Sequence, residues 1–338
     1  MTSRRARTTL AALALATAAT TTGVAVATAA GSDARAATPR GAVTRIDPDR
    51  LERGADATVP HVEGRRIVDD GVVTRVRGDW FRLLGTRPDG DHVVLVGDDG
   101  GESVRTVTPG GGGRKLIGDT YGAGVRLGSD GTTVLTEQFR LRPRRHTLLR
   151  AYDATSGELL GTRKRAGAVT GLDASASTVV YAGENGPVVS WDLATDEGTR
   201  VSRRYGYLAD LATDRLAVFT KDPYQGGCTV VSTLSDPRTE LWRSCEEAVV
   251  EVSPDGSHVM TVFKLADGLG PDEVRVRTVS GEQTGRYRVP EGYVGQLLFE
   301  DTDTALVEAV TRDSSGLVRC DGPSCELASD RGDGSPYL

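Results

Sequence analysis

The sequence predicts an all-β chain folded as a β-propeller of four-stranded blades, and three observations carry that reading. First, from about Arg82 onward the chain repeats roughly every 41–44 residues. Second, two kinds of turn keep pace with each other along the repeat. One passes through Asp89, Asp130, Ser175, Asp214, Asp255 and Asp303, at steps of 41, 45, 39, 41 and 48. The other passes through Asp153, Asp192, Ser235, Val279 and Asp321, at steps of 39, 43, 44 and 42. Third, the runs between turns read as strands, for example His92-Val93-Val94-Leu95-Val96 and Arg215-Leu216-Ala217-Val218-Phe219. They are short, rich in β-branched and aromatic residues, and bounded by Gly, Asp, Ser or Pro. Outside the N-terminus no long segment has the apolar spacing of a helix.

The elements follow in order. Residues 1–36 read as a secretory signal peptide: Arg4, Arg5 and Arg7 precede an uncharged Ala/Leu/Val/Thr run, and Ala27-Thr28-Ala29 and Ala34-Arg35-Ala36 both suit cleavage. A membrane anchor is the rival reading, weakened by the Ala/Thr content of the run. Arg4-Arg5 hints at twin-arginine export, but Arg7 and Thr8 stand where that signal has bulky apolar residues, which favours general secretion. Residues 37–60 are mixed polar with Pro39, Pro48, Gly54 and Pro60, and read as a linker. The propeller is expected over 61–330 and a short tail over 331–338.

Within the propeller, residues 64–76 form a hairpin turning at Asp70-Gly71. Six full copies follow, roughly 81–118, 123–165, 168–204, 206–245, 247–289 and 293–328. Each yields four strands, one blade. With the hairpin as part of another blade, the ring has seven blades, one incomplete; six blades under a covering hairpin is the alternative. At the turns, Pro presets φ, Asp bonds its own backbone, and Gly supplies positive φ.

Charge and cysteines bound the partners. The chain carries a net charge of −6. Without residues 1–36 it holds 37 basic and 46 acidic residues, a net of −9, which argues against nucleic acid as a partner. Four Lys beside 37 Arg is the bias that high-GC, actinobacterial-type coding produces. Of the three pairings that four Cys allow, the strand reading selects one. Cys228 and Cys245 are symmetric about the Asp236-Pro237 turn, and Cys320 and Cys325 about Gly322-Pro323. Each pair therefore faces itself across a hairpin, within disulfide reach, and export supplies the oxidising compartment. A metal site from Cys320 and Cys325 lacks a second close Cys/His pair.

The turns also carry a resemblance. Val252-Ser253-Pro254-Asp255-Gly256-Ser257-His258-Val259 resembles the WD40-like, TolB-type propeller repeat, and Thr86-Arg87-Pro88-Asp89-Gly90 fits it with Arg in place of Ser. Leu127-Gly128-Ser129-Asp130-Gly131 fits in part, while Asp173-Ala174-Ser175-Ala176 and Ala212-Thr213-Asp214 are degenerate. The resemblance covers about 81–328 and implies a propeller whose face or channel binds something. TolB has a further N-terminal domain for which 37–60 is too short, so its partners do not carry over. Trp191-Asp192 matches the WD dipeptide without the upstream Gly-His of WD40 repeats.

Catalytic motifs are absent from the sequence. His61, His92, His146 and His258 are the four His; His92 and His258 hold equivalent repeat positions and are expected as exposed strand-start residues. There is no His-Glu-x-x-His, Gly-x-Ser-x-Gly or phosphate-binding loop; Gly110-Gly111-Gly112-Gly113 reads as a turn within one blade. Asp69-Asp70, Asp98-Asp99, Glu246-Glu247, Asp301 and Asp303 read as solvated turn carboxylates, and Asp301-Thr302-Asp303 lacks the rest of a calcium loop. Arg77-Gly78-Asp79 and Arg331-Gly332-Asp333 match the adhesion tripeptide by composition alone. Tyr205, Tyr207 and Tyr224 are expected in packing.

The sequence thus points to a secreted, disulfide-stapled propeller acting as a monomeric binding module for an unknown protein or cell-envelope ligand. It is expected to be non-enzymatic, with no cofactor, no metal, no nucleic acid and, after signal cleavage, no membrane. The alternative is an extracellular hydrolase of the glycan or lactone class using carboxylates at the central channel. Two or more acids or His within about 10 Å at one channel mouth, with shifted pKa values, would mark it. Three converging carboxylates or a His–carboxylate pair there would overturn the binding reading.

Overall fold

The structure, a computed structural model, describes residues 42–184 and 186–335. The expected signal peptide lies outside the described residues, as do the last three residues of the tail. The described chain forms a seven-bladed β-propeller. Blade 1 is a three-stranded sheet of His61–Glu63, Arg66–Asp69 and Val72–Arg75. Six blades of four antiparallel strands follow, over 80–117, 124–166, 169–202, 205–244, 247–288 and 293–327. In each of the six the strands run in chain order from the axis outward, and the outer strand leads to the inner strand of the next blade. By that connectivity blade 1 has the three outer strands and lacks the inner one.

Local chemistry builds the turns as the sequence requires. Gly90, Gly131 and Gly256 close the first turn of blades 2, 3 and 6 with φ of 89°, 71° and 71°, the left-handed region that glycine enters without strain. In the degenerate copy of blade 5, Asp214 takes that conformation at φ 58°. At Ser253-Pro254-Asp255-Gly256 the Asp255 carboxylate accepts from Ser253 Oγ at 2.7 Å and Ser257 N at 3.0 Å, which holds its pKa down at about 2. Where Arg87 replaces that serine, its guanidinium pairs with Asp89 and Asp91 instead, and the side chain is buried.

The core lies between blades. Second strands are buried on both faces, so they read as unbroken apolar runs rather than alternating ones: His92–Val96 is buried throughout. Between blades 4 and 5, Leu172, Val180, Ala182 and Val188 meet Ala209, Leu216, Val218 and Val230. Comparable clusters fill the neighbouring seams.

Residues 42–60, read from sequence as part of a linker, run along the outer edges of two blades. Thr44–Arg45 pairs in parallel with the outer strand Gln283–Arg288 of blade 6. Gly54 N then donates to Leu327 O and Ala57 N to Ala328 O, each at 2.8 Å, along the outer edge of blade 7. Arg319 fastens this strap: it donates to Ala55 O at 3.1 Å and Asp56 O at 2.9 Å, and pairs with Glu300 and Glu326. At the other end of the chain Gly332–Asp333 turns back to pair with Ser314 and Ser315 of blade 7. No sheet among the described residues combines strands of blades 1 and 7.

Both expected disulfides are present. Cys228–Cys245 flanks the paired strands Thr229–Thr233 and Trp242–Ser244, and Cys320–Cys325 is a directly opposed pair in blade 7.

Candidate functional site

The inner strands Trp80–Thr86, Gly124–Leu127, Val169–Ala174, Tyr205–Asp210, Glu247–Val252 and Tyr293–Phe299 build the wall of the axis. Five of them carry a register shift against their second strand, between Leu83 and Gly85, Gly171 and Asp173, Gly206 and Leu208, Val249 and Glu251, and Val294 and Leu297. Such bulges re-aim side chains. Opposite the third residue of the second strand, the bulged inner strands of blades 4 and 6 place Asp173 and Glu251, and the regular inner strand of blade 3 places Arg126.

Most of these charges bind one blade to the next. Arg82 donates to Val125 O at 2.7 Å, and Arg126 to Leu172 O at 3.1 Å, each reaching the inner strand of the following blade. Glu137 accepts from Gly171 N. Asp173 is the most heavily engaged. Its carboxylate accepts from Ser129 N at 2.9 Å and Ser129 Oγ at 2.6 Å in blade 3, from Ala174 N at 2.8 Å in its own blade, and from Leu211 N at 2.6 Å after the inner strand of blade 5. The residue is 3% exposed. Burial pushes its pKa up against the four donors that pull it down.

Glu251 differs. Burial raises its pKa, the Asp210 charge raises it further, and the Val252 N–H opposes them; the carboxyl reaches about 7. Asp210 itself caps a turn through Thr213 N at 2.9 Å. Glu251 and Asp210, acids of neighbouring inner strands, thus interact, and Glu251 carries a shifted pKa. Asp173 does not extend them into an open triad, because it is enclosed by its donors.

The other residues singled out in the sequence fall as follows. His92 is fully buried, not exposed, because the second strand of blade 2 is covered on both faces; its Nε2 lies 3.5 Å from Asp69 and burial lowers its pKa. His61 is buried with Nε2 3.5 Å from Glu63. These two His–carboxylate pairs belong to blade 1 and its contact with blade 2, where the inner strand is missing. Glu247, read as a solvated turn residue, is buried and accepts from Thr261 Oγ at 2.6 Å and from Arg275 and Arg277, whose hydrogen bonds keep it ionised. Asp301 caps its turn through Asp303 N and Thr304 N. Among the described residues no group of three or more His, Cys, Asp or Glu is arranged to hold a metal ion. Tyr205 and Tyr207 stack on Phe219, with Tyr207 Oη accepting from Val249 N at 3.0 Å, so both are packing residues, while Tyr224 is exposed. Arg331 is engaged by Pro48 O and Leu51 O of the strap.

Two concave surfaces lie at the seams beside blade 1. A cleft of about 620 Å³ between blades 7 and 1 is lined by Glu63, Arg66, Gln296, Glu308 and Arg331 among others. A groove of about 930 Å³ between blades 1 and 2 runs beside the four glycines 110–113. No signal in the sequence marked either, since each is lined by residues of two blades that only the ring brings together.

Fold and inner wall define the chain as a β-propeller module. No protein-family model matches the sequence, and no curated protein sequence does. Solved structures match at the level of fold. The acylaminoacyl peptidase of Pyrococcus horikoshii aligns with a TM-score of 0.58 at 12% identity, over 78% of this chain and 47% of that one. The β-propeller domain of the Trilobed protease from Pyrococcus furiosus, described as having an open velcro topology, aligns with a TM-score of 0.58 at 12% identity over 82% and 99%. The chain therefore spans about half the length of the peptidase and nearly all of the isolated propeller domain.

Proposed function

We propose that the chain is a secreted, non-enzymatic β-propeller module that binds a protein or cell-envelope ligand. The observation that carries this reading is the use of the inner strands: Arg126 and Asp173 are engaged in bonds between blades rather than presented to a substrate. A wall so stitched is a rigid scaffold, and rigid scaffolds bind through their surface loops and seams. The signal-peptide pattern at 1–36 and the two disulfides support an extracellular address. The propeller domain of the Trilobed protease supports the view of such a ring as a separable module. The test is retention of the mature chain by the envelope fraction of its source culture, with the retained partner identified by mass spectrometry. A saturable partner supports the reading; a chain that stays wholly in the wash overturns it.

A second reading rests on Glu251 and Asp210. A glutamic acid with a pKa near 7 beside a second carboxylate suits general-acid work on a glycan or lactone. Turnover of chromogenic glycosides or lactones by the mature protein, abolished in Glu251→Gln, would establish it in place of the non-enzymatic reading.

A further inference from the structure

On a chain of net negative charge, the groove between blades 1 and 2 is cationic throughout. Its charged lining residues are Arg75, Arg77, Arg105, Arg114 and Lys115, with no Asp or Glu among the lining groups. Beside the groove, Asp98 pairs with Arg105, and its charge reaches Lys115. Arg114 donates to Thr155 O. The side chains of Arg75, Arg77 and Lys115 are exposed and make no hydrogen bond or ion pair among the described residues.

The fold explains how these charges gather. Arg105 and Lys115 face each other across the third and outer strands of blade 2. Arg77 lies beside them, its carbonyl accepting from Arg105 Nη1 at 3.4 Å. The outer strand of blade 1 is only Val72–Arg75, so it leaves that surface of blade 2 uncovered. Gly110, Gly111 and Gly112 form one bank at φ of 80°, 118° and 95°, and a Cβ at any of them would meet nothing within 4 Å. Bare backbone there lets a ligand approach closely.

We propose that this groove binds an extended phosphodiester polyanion without bases, of the poly(glycerol phosphate) kind. Several unpaired cations along one groove hold a chain of charges better than a single ion, and about 930 Å³ exceeds what one phosphate fills. Arginine matches the tetrahedral oxygens in pairs. The lining contains no aromatic residue on which a base can stack, which separates the ligand from single-stranded nucleic acid. The inference rests on the reading of the chain as an extracellular binding module and names its ligand.

The test is calorimetric titration of the mature chain with poly(glycerol phosphate) across a series of salt concentrations. Three to five phosphate contacts give a log–log salt slope of roughly −2 to −3.5. The triple variant Arg75→Ala/Arg77→Ala/Lys115→Ala is expected to bind at least about tenfold more weakly, with the slope shallower by about 2. Arg203→Ala/Arg204→Ala, exposed arginines elsewhere, is expected to bind as wild type. Matching thermal melts show that all three proteins are folded; should the triple variant melt early, Arg77→Ala alone carries the comparison, with a slope change of about 0.7. Absence of binding at low salt, equal binding by the groove variant, or equal affinity for poly-L-glutamate or single-stranded DNA overturns the proposal. Envelope retention separates the two levels: a groove variant retained like wild type sinks the groove and leaves the binding module standing, whereas a wild type that is not retained sinks the module.

Discussion

Asp173→Ala removes the acceptor on which three blades converge. Ser129 N, Ser129 Oγ, Ala174 N and Leu211 N, at 2.6–2.9 Å, all lose their partner at a position 3% exposed. A bond to a charged acceptor contributes about 1.5–3 kcal/mol, and stranding a buried donor costs about 1–3 kcal/mol. Against that, burying a carboxylate is itself unfavourable, as its raised pKa records, and the substitution relieves that cost. The net destabilisation is therefore about 2–4 kcal/mol, and for a domain of this size it lowers Tm by roughly 3–7 °C. Asp173→Asn is expected to behave similarly, since its amide turns donors toward donors. Differential scanning calorimetry of Asp173→Ala, Ser129→Ala and the double variant closes a cycle. Ser129 loses its contact in either single variant, so the pair should be coupled by about 1 kcal/mol or more. A wild-type Tm for Asp173→Ala, or strictly additive effects, would refute the staple.

Glu251 gives a pH dependence of defined sign. In the fold it keeps its proton up to about pH 7, against an ordinary value of 4.5. The folded state thus holds more protons over that window, and the stabilisation is complete below the unfolded pKa and lost as pH rises through 7. Glu251→Gln should match wild type near pH 4 and be more stable by about 2–3 kcal/mol near pH 8, measured by urea unfolding at both values; equal stability at both contradicts the assignment. Arg319→Ala should release the strap, because Glu300 loses its cation and the carbonyls of Ala55 and Asp56 their donor. Limited trypsinolysis should then cut at Arg45, Arg50 or Arg53 at least several-fold faster, and an unchanged cleavage rate would show that Arg319 does not hold the segment.

The blade pattern was legible because its signals are local. Asp255, Ser253 and Gly256 make their turn among themselves, and where glycine is missing Asp214 supplies the same left-handed residue. The disulfides were legible for a related reason: two cysteines symmetric about a turn are brought together by the hairpin alone. The role of Asp173 was not. It was read as part of a degenerate turn, yet it ends an inner strand and takes donors 44 residues before it and 38 after. Glu247 and His92 were expected in solvent for the same want of information. Their partners are Arg275, Arg277 and Asp69, which only the stacking of strands brings near.

By itself the sequence determined the repeat, the strand–turn alternation and the cysteine pairing, all consequences of backbone preferences within a few residues, whereas the choice of seven blades over six came from the pairing of the 61–75 strands as a sheet of their own. Tertiary structure decided which charges are buried as inter-blade staples, where the strap lies, and that a short first blade leaves a cationic groove open. Those outcomes depend on which donors, acceptors and charges face one another across a seam, and a side chain's neighbours there come from distant parts of the chain.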